Sequence, residues 1–128
     1  MKPIGIGVDI VDTKRFKLCI KNKKFMAHIR GKNEILNKRK IVNKINFLSK
    51  RFAAKEALAK ALGTGFRNGL NFKDIEILND RLGKPYYVLN IRLKNQIKKK
   101  KRIKNFNLFL SISDEKDYSI AFTMIQSV

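Results

Sequence analysis

Apolar residues alternate with glycine across residues 3–8, Pro-Ile-Gly-Ile-Gly-Val, a period of two that predicts a strand with one face of bare backbone. Another element can approach such a face closely. Asp9 ends this expected strand, with Ile10, Val11 and Asp12 after it; Asp12 or Thr13 can cap the next helix, which leaves Asp9 without a structural task. Over residues 13–30 the period lengthens. Phe16, Cys19 and Ile20 make an apolar stripe among Lys14, Arg15, Lys17 and Lys21, predicting two short helices broken at Asn22. On that stripe Cys19 reads as a small buried hydrophobe. His28 has no Cys, Asp or Ser close to it in sequence and reads as structural.

Residues 31–44 are polar and turn-rich, with a short helix expected from Asn33 to Lys40. A long central helix follows from about Asn43 to Leu62, its inner side carried by Ile45, Leu48, Phe52 and Ala59. Gly63 supplies its stop. Ala53, Ala54, Ala57, Ala59 and Ala61 favour helix and present almost no side chain, so backbone or ligand can come near on several sides. Residues 74–79 and 86–89 alternate around Asp80-Arg-Leu-Gly-Lys-Pro85 and predict a hairpin; residues 108–114 and 118–125 predict a second. Between them, residues 90–104 predict a helix bearing Lys98-Lys-Lys-Lys-Arg102, a like-charge run that reads as a solvated face.

Composition narrows this picture. A chain of 128 residues, 44% hydrophobic, can bury one core, so a single domain over 1–128 is expected. Thirty Lys and Arg against ten Asp and Glu leave a net charge of +20, which favours an anionic partner without choosing it. Much of the excess is Lys accompanied by Asn and Ile, the bias that an AT-rich coding sequence produces. One cysteine excludes an internal disulfide framework and fits a reducing compartment. No apolar run approaches the roughly 20 residues that span a bilayer, and the N-terminus is too short for a signal peptide. Cytosolic residence is the expectation.

The candidate chemistry lies in the central helix. Glu56 and Lys60 stand at i and i+4, on their own an ordinary stabilising pair. With Asp9 set beside them the meaning changes. Two carboxylates and a cation, framed by glycine and alanine, suit a metal and a phosphate together. A rival reading is a basic nucleic-acid-binding module using Lys98 to Lys104 and the first helix. Such a protein has no use for buried acids that repel phosphate, and the lysine run lacks interleaved aromatics for base stacking.

Gly5-Ile-Gly-Val-Asp-Ile-Val11, Arg51-Phe-Ala-Ala-Lys-Glu-Ala57, Gly63-Thr-Gly65, Gly83-Lys-Pro85 and Ser111-Ile-Ser-Asp-Glu115 occur together in this order. From about Ile4 to Gln126 the chain resembles the holo-acyl-carrier-protein synthases, the small type of 4′-phosphopantetheinyl transferase. The resemblance implies an α+β fold, an antiparallel sheet packed on a long central helix, assembling as a homotrimer with coenzyme A between neighbours. It also implies transfer of the 4′-phosphopantetheine arm of coenzyme A to a serine of apo-acyl carrier protein, releasing adenosine 3′,5′-bisphosphate, in support of fatty acid biosynthesis.

Carried over by resemblance, Asp9 and Glu56 are the carboxylates for a divalent metal, usually magnesium. Glu56 and Lys60 form the catalytic pair, with Lys60 on the phosphates. Arg51, Gly63, Lys84 and Pro85 line the coenzyme A site, and Arg15 with its basic helix docks the acidic carrier protein. Neither membrane nor nucleic acid is an expected partner. One position departs from the pattern: many members carry a histidine where this chain has Asp114, so Asp114 is left outside the catalytic set. The lysines from Lys98 to Lys101 exceed what the family pattern requires.

Overall fold

The computed structural model describes residues 1–29, 44–64 and 70–128, the side chains of 28, 29 and 44 excepted. The short helix expected at Asn33–Lys40, the loop over 66–69 and the His28 side chain lie outside the described residues. In chain order the elements are β1 (Lys2–Asp12), α1 (Thr13–Cys19), α2 (Lys23–Ile29), α3 (Lys44–Leu62), a 3₁₀ turn (Phe72–Asp74), β2 (Ile75–Asn79), β3 (Pro85–Leu89), α4 (Ile91–Lys101), β4 (Phe106–Asp114) and β5 (Tyr118–Ser127). The first sheet has the order β1-β5-β4, antiparallel throughout, and β2 and β3 pair as a separate hairpin. Helix α3 lies across β1 and β5 and also touches β2 and β4. The fold is α+β, as expected from the sequence.

One boundary corrects the sequence reading, because β1 does not stop before Asp9. β5 offers it partners without interruption, Val8 opposite Phe122, Asp9 opposite Ala121 and Asp12 opposite Tyr118, so the ladder carries Asp9 inside the strand. The period of two then sets its direction. Asp9 shares the face of Gly5, Gly7 and Val11, which is turned towards α3, while Ile6, Val8 and Ile10 are exposed on the opposite face.

The glycines on that face are a steric requirement. A Cβ on Gly7 would stand 1.9 Å from the carbonyl oxygen of Ala57, and one on Gly5 would stand 2.1 Å from that of Ala61. Strand and helix therefore meet backbone to backbone, which only glycine on one side and alanine on the other permit. Gly63 ends α3 with φ of +81° and donates its N–H to the Lys60 carbonyl at 3.0 Å, the left-handed stop anticipated for it.

Asp12 caps α1, its Oδ1 accepting from the N–H groups of Lys14 and Arg15, and Asn22 makes the break between α1 and α2 by accepting from those of Lys24 and Phe25. Phe16, Phe25 and Phe52 meet edge-on or tilted, and Phe72 stacks on Phe52, with centroids 5.4–6.0 Å apart, a cluster that seats both short helices against α3. Cys19, expected inside, is exposed. Helix α1 has seven residues and buries only Phe16, and Cys19 at its last position falls past the edge of the stripe. In α4, Asn90 caps the start, Leu93 and Ile97 face the core, and Lys98–Lys101 fill the last turn, where cations complement the helix dipole.

Tyr87 ties three elements together. Its hydroxyl donates to the Ala54 carbonyl at 2.6 Å and stands 2.5 Å from Thr123 Oγ1; with the tyrosine proton committed, Thr123 donates in return. Burial pushes the phenol far above its ordinary value, so it stays neutral. Tyr87→Phe is expected to cost about 1–2 kcal/mol, because it leaves the buried Thr123 hydroxyl short of a partner. Urea denaturation of the two proteins measures the difference.

Candidate active site

β1, α1, α2 and α3 enclose a groove of about 340 Å³ lined by Asp9, Arg15, Cys19, Phe25, Phe52 and Glu56, among others. Each acid owes its place to an element already described. Asp9 comes from the glycine face of β1. Glu56 stands one turn after Phe52 on α3, where the phenylalanine cluster walls off one flank.

Burial raises the pKa of Asp9, and Lys60 pulls it back. Glu56 is raised first by burial and then by the Asp9 charge, with Lys60 again opposing. The effect of the Asp9 charge on Glu56 places the two carboxylates in one electrostatic neighbourhood. Lys60 approaches from the side. Its Nζ donates to the Val8 carbonyl and to Asp9 Oδ1, both at 3.0 Å, so the ion pair it forms is with Asp9 on the facing strand. The pairing with Glu56 that the sequence suggested is a longer-range attraction.

The donor set has a definite chemistry. Among the described residues no three His, Cys, Asp or Glu side chains gather to cage a metal. Two hard carboxylate oxygens at a half-open groove suit magnesium, which keeps several waters and completes its shell with phosphate oxygens. They do not suit zinc, which prefers imidazole and thiolate.

The other sequence-predicted residues group elsewhere. Arg51, Gly63, Lys84 and Pro85 do not line the groove of Asp9 and Glu56. Arg51 is mostly buried, its guanidinium 3.5 Å from the Phe47 ring centroid and 2.9 Å from Asn79 Oδ1. Asn79 in turn donates to the Gly83 carbonyl, and Asp80 Oδ1 accepts from the N–H groups of Leu82 and Lys84. With Gly83 at φ of +90°, this fixes the tight turn before Pro85. Arg51 and the Gly83-Lys84-Pro85 turn thus form one connected group, joined through Asn79.

Two features escaped the sequence reading. Lys55 is almost wholly buried beside Glu56. Its signal was present, since residue 55 falls on the row of Leu48, Phe52 and Ala59. Asp114 holds Asn46 at 2.9 Å and Lys50 at 3.3 Å, pinning the end of β4 to the start of α3. The Asn46 amide, helped by Lys50, lowers the Asp114 pKa. A depressed carboxylate contributes stability above its unfolded pKa and loses it as pH falls through the folded one. Asp114→Asn is therefore expected to cost less than about 1 kcal/mol at neutral pH, given the partial exposure of the pair. Thermal unfolding across acidic pH should show that difference closing only below the usual aspartate value of about 3.9.

A strand acid and a helix acid on a half-open groove, with a lysine bound to the first of them, are the equipment of an enzyme that handles phosphate groups. The family model described as the 4′-phosphopantetheinyl transferase superfamily matches residues 5–123. The chain belongs to that superfamily and, within it, to the holo-[acyl-carrier-protein] synthases. The synthase of Pelagibacter ubique is 54% identical over 126 residues, covering 98% of each chain. That of Clostridium tetani is 44% identical over 128 residues, covering 96% of this chain and 95% of the relative. Among solved structures, the synthase of Neisseria meningitidis matches with a TM-score of 0.87 at 38% identity, over 99% of this chain and all of that one. The Bacillus anthracis synthase, solved in complex with CoA (3′,5′-ADP), matches with 0.81 at 32% identity over the whole of both chains.

Proposed function

We propose that this chain, as one domain over its 128 residues, moves the 4′-phosphopantetheine arm of coenzyme A to a serine hydroxyl of apo-acyl carrier protein. Adenosine 3′,5′-bisphosphate leaves, and the product serves fatty acid biosynthesis in the cytoplasm. The observation that carries this reading is the meeting of Asp9 and Glu56 at one groove, in a chain matched along nearly its whole length by synthases.

Asp9 and Glu56 would hold a magnesium ion, which supplies charge neutralisation at the pyrophosphate. Lys60 contacts the phosphates and offsets charge building on the leaving group. Glu56, with its pKa raised by burial, takes the serine proton through a water. Arg51 and the Gly83-Lys84-Pro85 turn hold the nucleotide end, and Gly63 lets the backbone approach it. Arg15 on the groove rim, with the basic α1, receives the acidic carrier protein.

A homotrimer completes the proposal. Ile6, Val8, Ile10, Phe109, Ile120 and Phe122 are all exposed on the sheet face away from α3. The register sets Val8 opposite Phe122 and Ile10 opposite Ile120, so the patch is continuous, and such a face favours association with further copies of the chain. No helix among the described residues is long and apolar enough to cross a membrane. The groove's two acids argue against nucleic acid as the ligand.

The test is mass spectrometry of an apo-acyl carrier protein incubated with this chain, coenzyme A and magnesium. One added phosphopantetheine is expected, and it should disappear when EDTA replaces the metal. An unmodified carrier protein under saturating metal and cofactor would overturn the assignment.

A further inference from the structure

Lys60 is engaged in the chain on its own. Its stem runs down from α3, 54% exposed, and the ammonium rests on the Val8 carbonyl and Asp9 Oδ1, both 3.0 Å away. Asp9, 15% exposed, has little room for a second cation on that oxygen while the ammonium stays. We propose that Lys60 is a counter-cation that travels: it occupies Asp9 before loading, gives the carboxylate up to the incoming divalent cation, and turns to the substrate phosphates.

This inference rests on the metal reading above and adds an order of events to it. Three charged groups decide the matter. Asp9 and Glu56 both pay for their burial with raised pKa values, and in each case Lys60 is the compensating charge. A divalent cation on the same carboxylate repels the ammonium at contact range, where a partly buried pair of like charges interacts strongly. The ammonium can yield, because it is a compact charge on a flexible side chain that is 54% exposed. The Val8 carbonyl is a neutral tether, so among the described residues the ion pair that holds Nζ is the one with Asp9. Arg15, the other cation at the groove, belongs to the rim on α1 and makes no ion pair with Asp9.

The charge count supports the hand-over. Asp9, Glu56 and Lys60 sum to −1, which attracts a metal and repels a diphosphate. With a divalent ion added the sum becomes +1, which attracts the diphosphate, and a lysine released from Asp9 is then free to meet it. Loading in the order metal, then phosphate, is built into these three side chains.

The test uses the full chain without coenzyme A and takes Mn²⁺ as the probe, its free concentration followed by electron paramagnetic resonance. Lys60→Met is expected to bind Mn²⁺ about tenfold more tightly than wild type, since a competing cation at contact distance is gone. A second measurement needs no variant. Acetylation of wild-type Lys60 by an N-hydroxysuccinimide ester, read peptide by peptide, should accelerate several-fold at saturating Mn²⁺, with Lys84 unaffected. Equal or weaker Mn²⁺ affinity in Lys60→Met, or acetylation indifferent to the ion, overturns the hand-over. If wild type binds no Mn²⁺, or binding survives Asp9→Asn combined with Glu56→Gln, the metal reading itself fails. Binding that depends on both acids but not on Lys60 removes this inference alone.

Discussion

Gly7→Ala should abolish or nearly abolish folding, a cost of at least about 3 kcal/mol against a typical domain stability of about 5–15 kcal/mol. The added methyl would lie 1.9 Å from the Ala57 carbonyl oxygen, with the Ala61 nitrogen at 2.7 Å. These are main-chain atoms, so no side-chain rotation relieves the contact. Either β1 must lift away from α3, or α3 must move and drag the hairpin that Tyr87 anchors to Ala54. Gly63→Ala is the control: its added Cβ meets nothing within 4 Å, and only the φ of +81° resists it, at about 1 kcal/mol. Denaturant midpoints of the two variants measure the contrast, and a Gly7→Ala protein as stable as Gly63→Ala would show that strand and helix do not meet as described.

Asp9→Ala and Glu56→Ala should each lower phosphopantetheine transfer by at least about a thousandfold, the scale on which charge stabilisation at a transition state is lost. Carrier-protein mass spectrometry over a time course reads the rate. Stability should move in the opposite direction for Glu56→Gln. Burial and the Asp9 charge raise the Glu56 pKa, so the folded chain holds the ionised form at a cost. For a raised carboxylate, stability falls as pH climbs from the unfolded pKa through the folded one, and the full penalty is present above the folded pKa. The neutral isostere removes it. Thermal unfolding without metal should therefore place Glu56→Gln above wild type while its transfer activity is lost, a pairing that a merely structural glutamate would not give. Wild-type turnover in both alanine variants would falsify the metal assignment.

Much of this was legible in the chain. The glycine alternation of residues 3–8 announced a face made for close approach, and the alanines of α3 announced what approaches it. Asn22 and Asp12 were readable as a break and a cap because their side chains act within two or three residues. What was not legible depends on partners distant in sequence. Asp9 seemed to end a strand because its own neighbours change character there, whereas its true limit is set by Tyr118 on β5. Lys60 seemed paired with Glu56 four residues away, while the structure gives it Asp9 across 51 residues. Cys19 obeyed a helical period but is exposed at the last position of a seven-residue helix that buries only Phe16. The exposed apolar face of the sheet could not be separated from a buried one by alternation, since both faces of β1 read as apolar or glycine.

The contact between β1 and α3 also bears on how this sequence can vary. The chain carries thirty Lys and Arg against ten Asp and Glu, most of that excess outside the contact. The interval between the two carboxylates is insulated from such changes of surface residue, because Gly7 against Ala57 is a spacer with no adjustable parts. Side chains around it can be exchanged, lengthened or charged without moving the gauge between strand and helix, so the chemistry can stay fixed while nearly everything outside the gauge is rewritten.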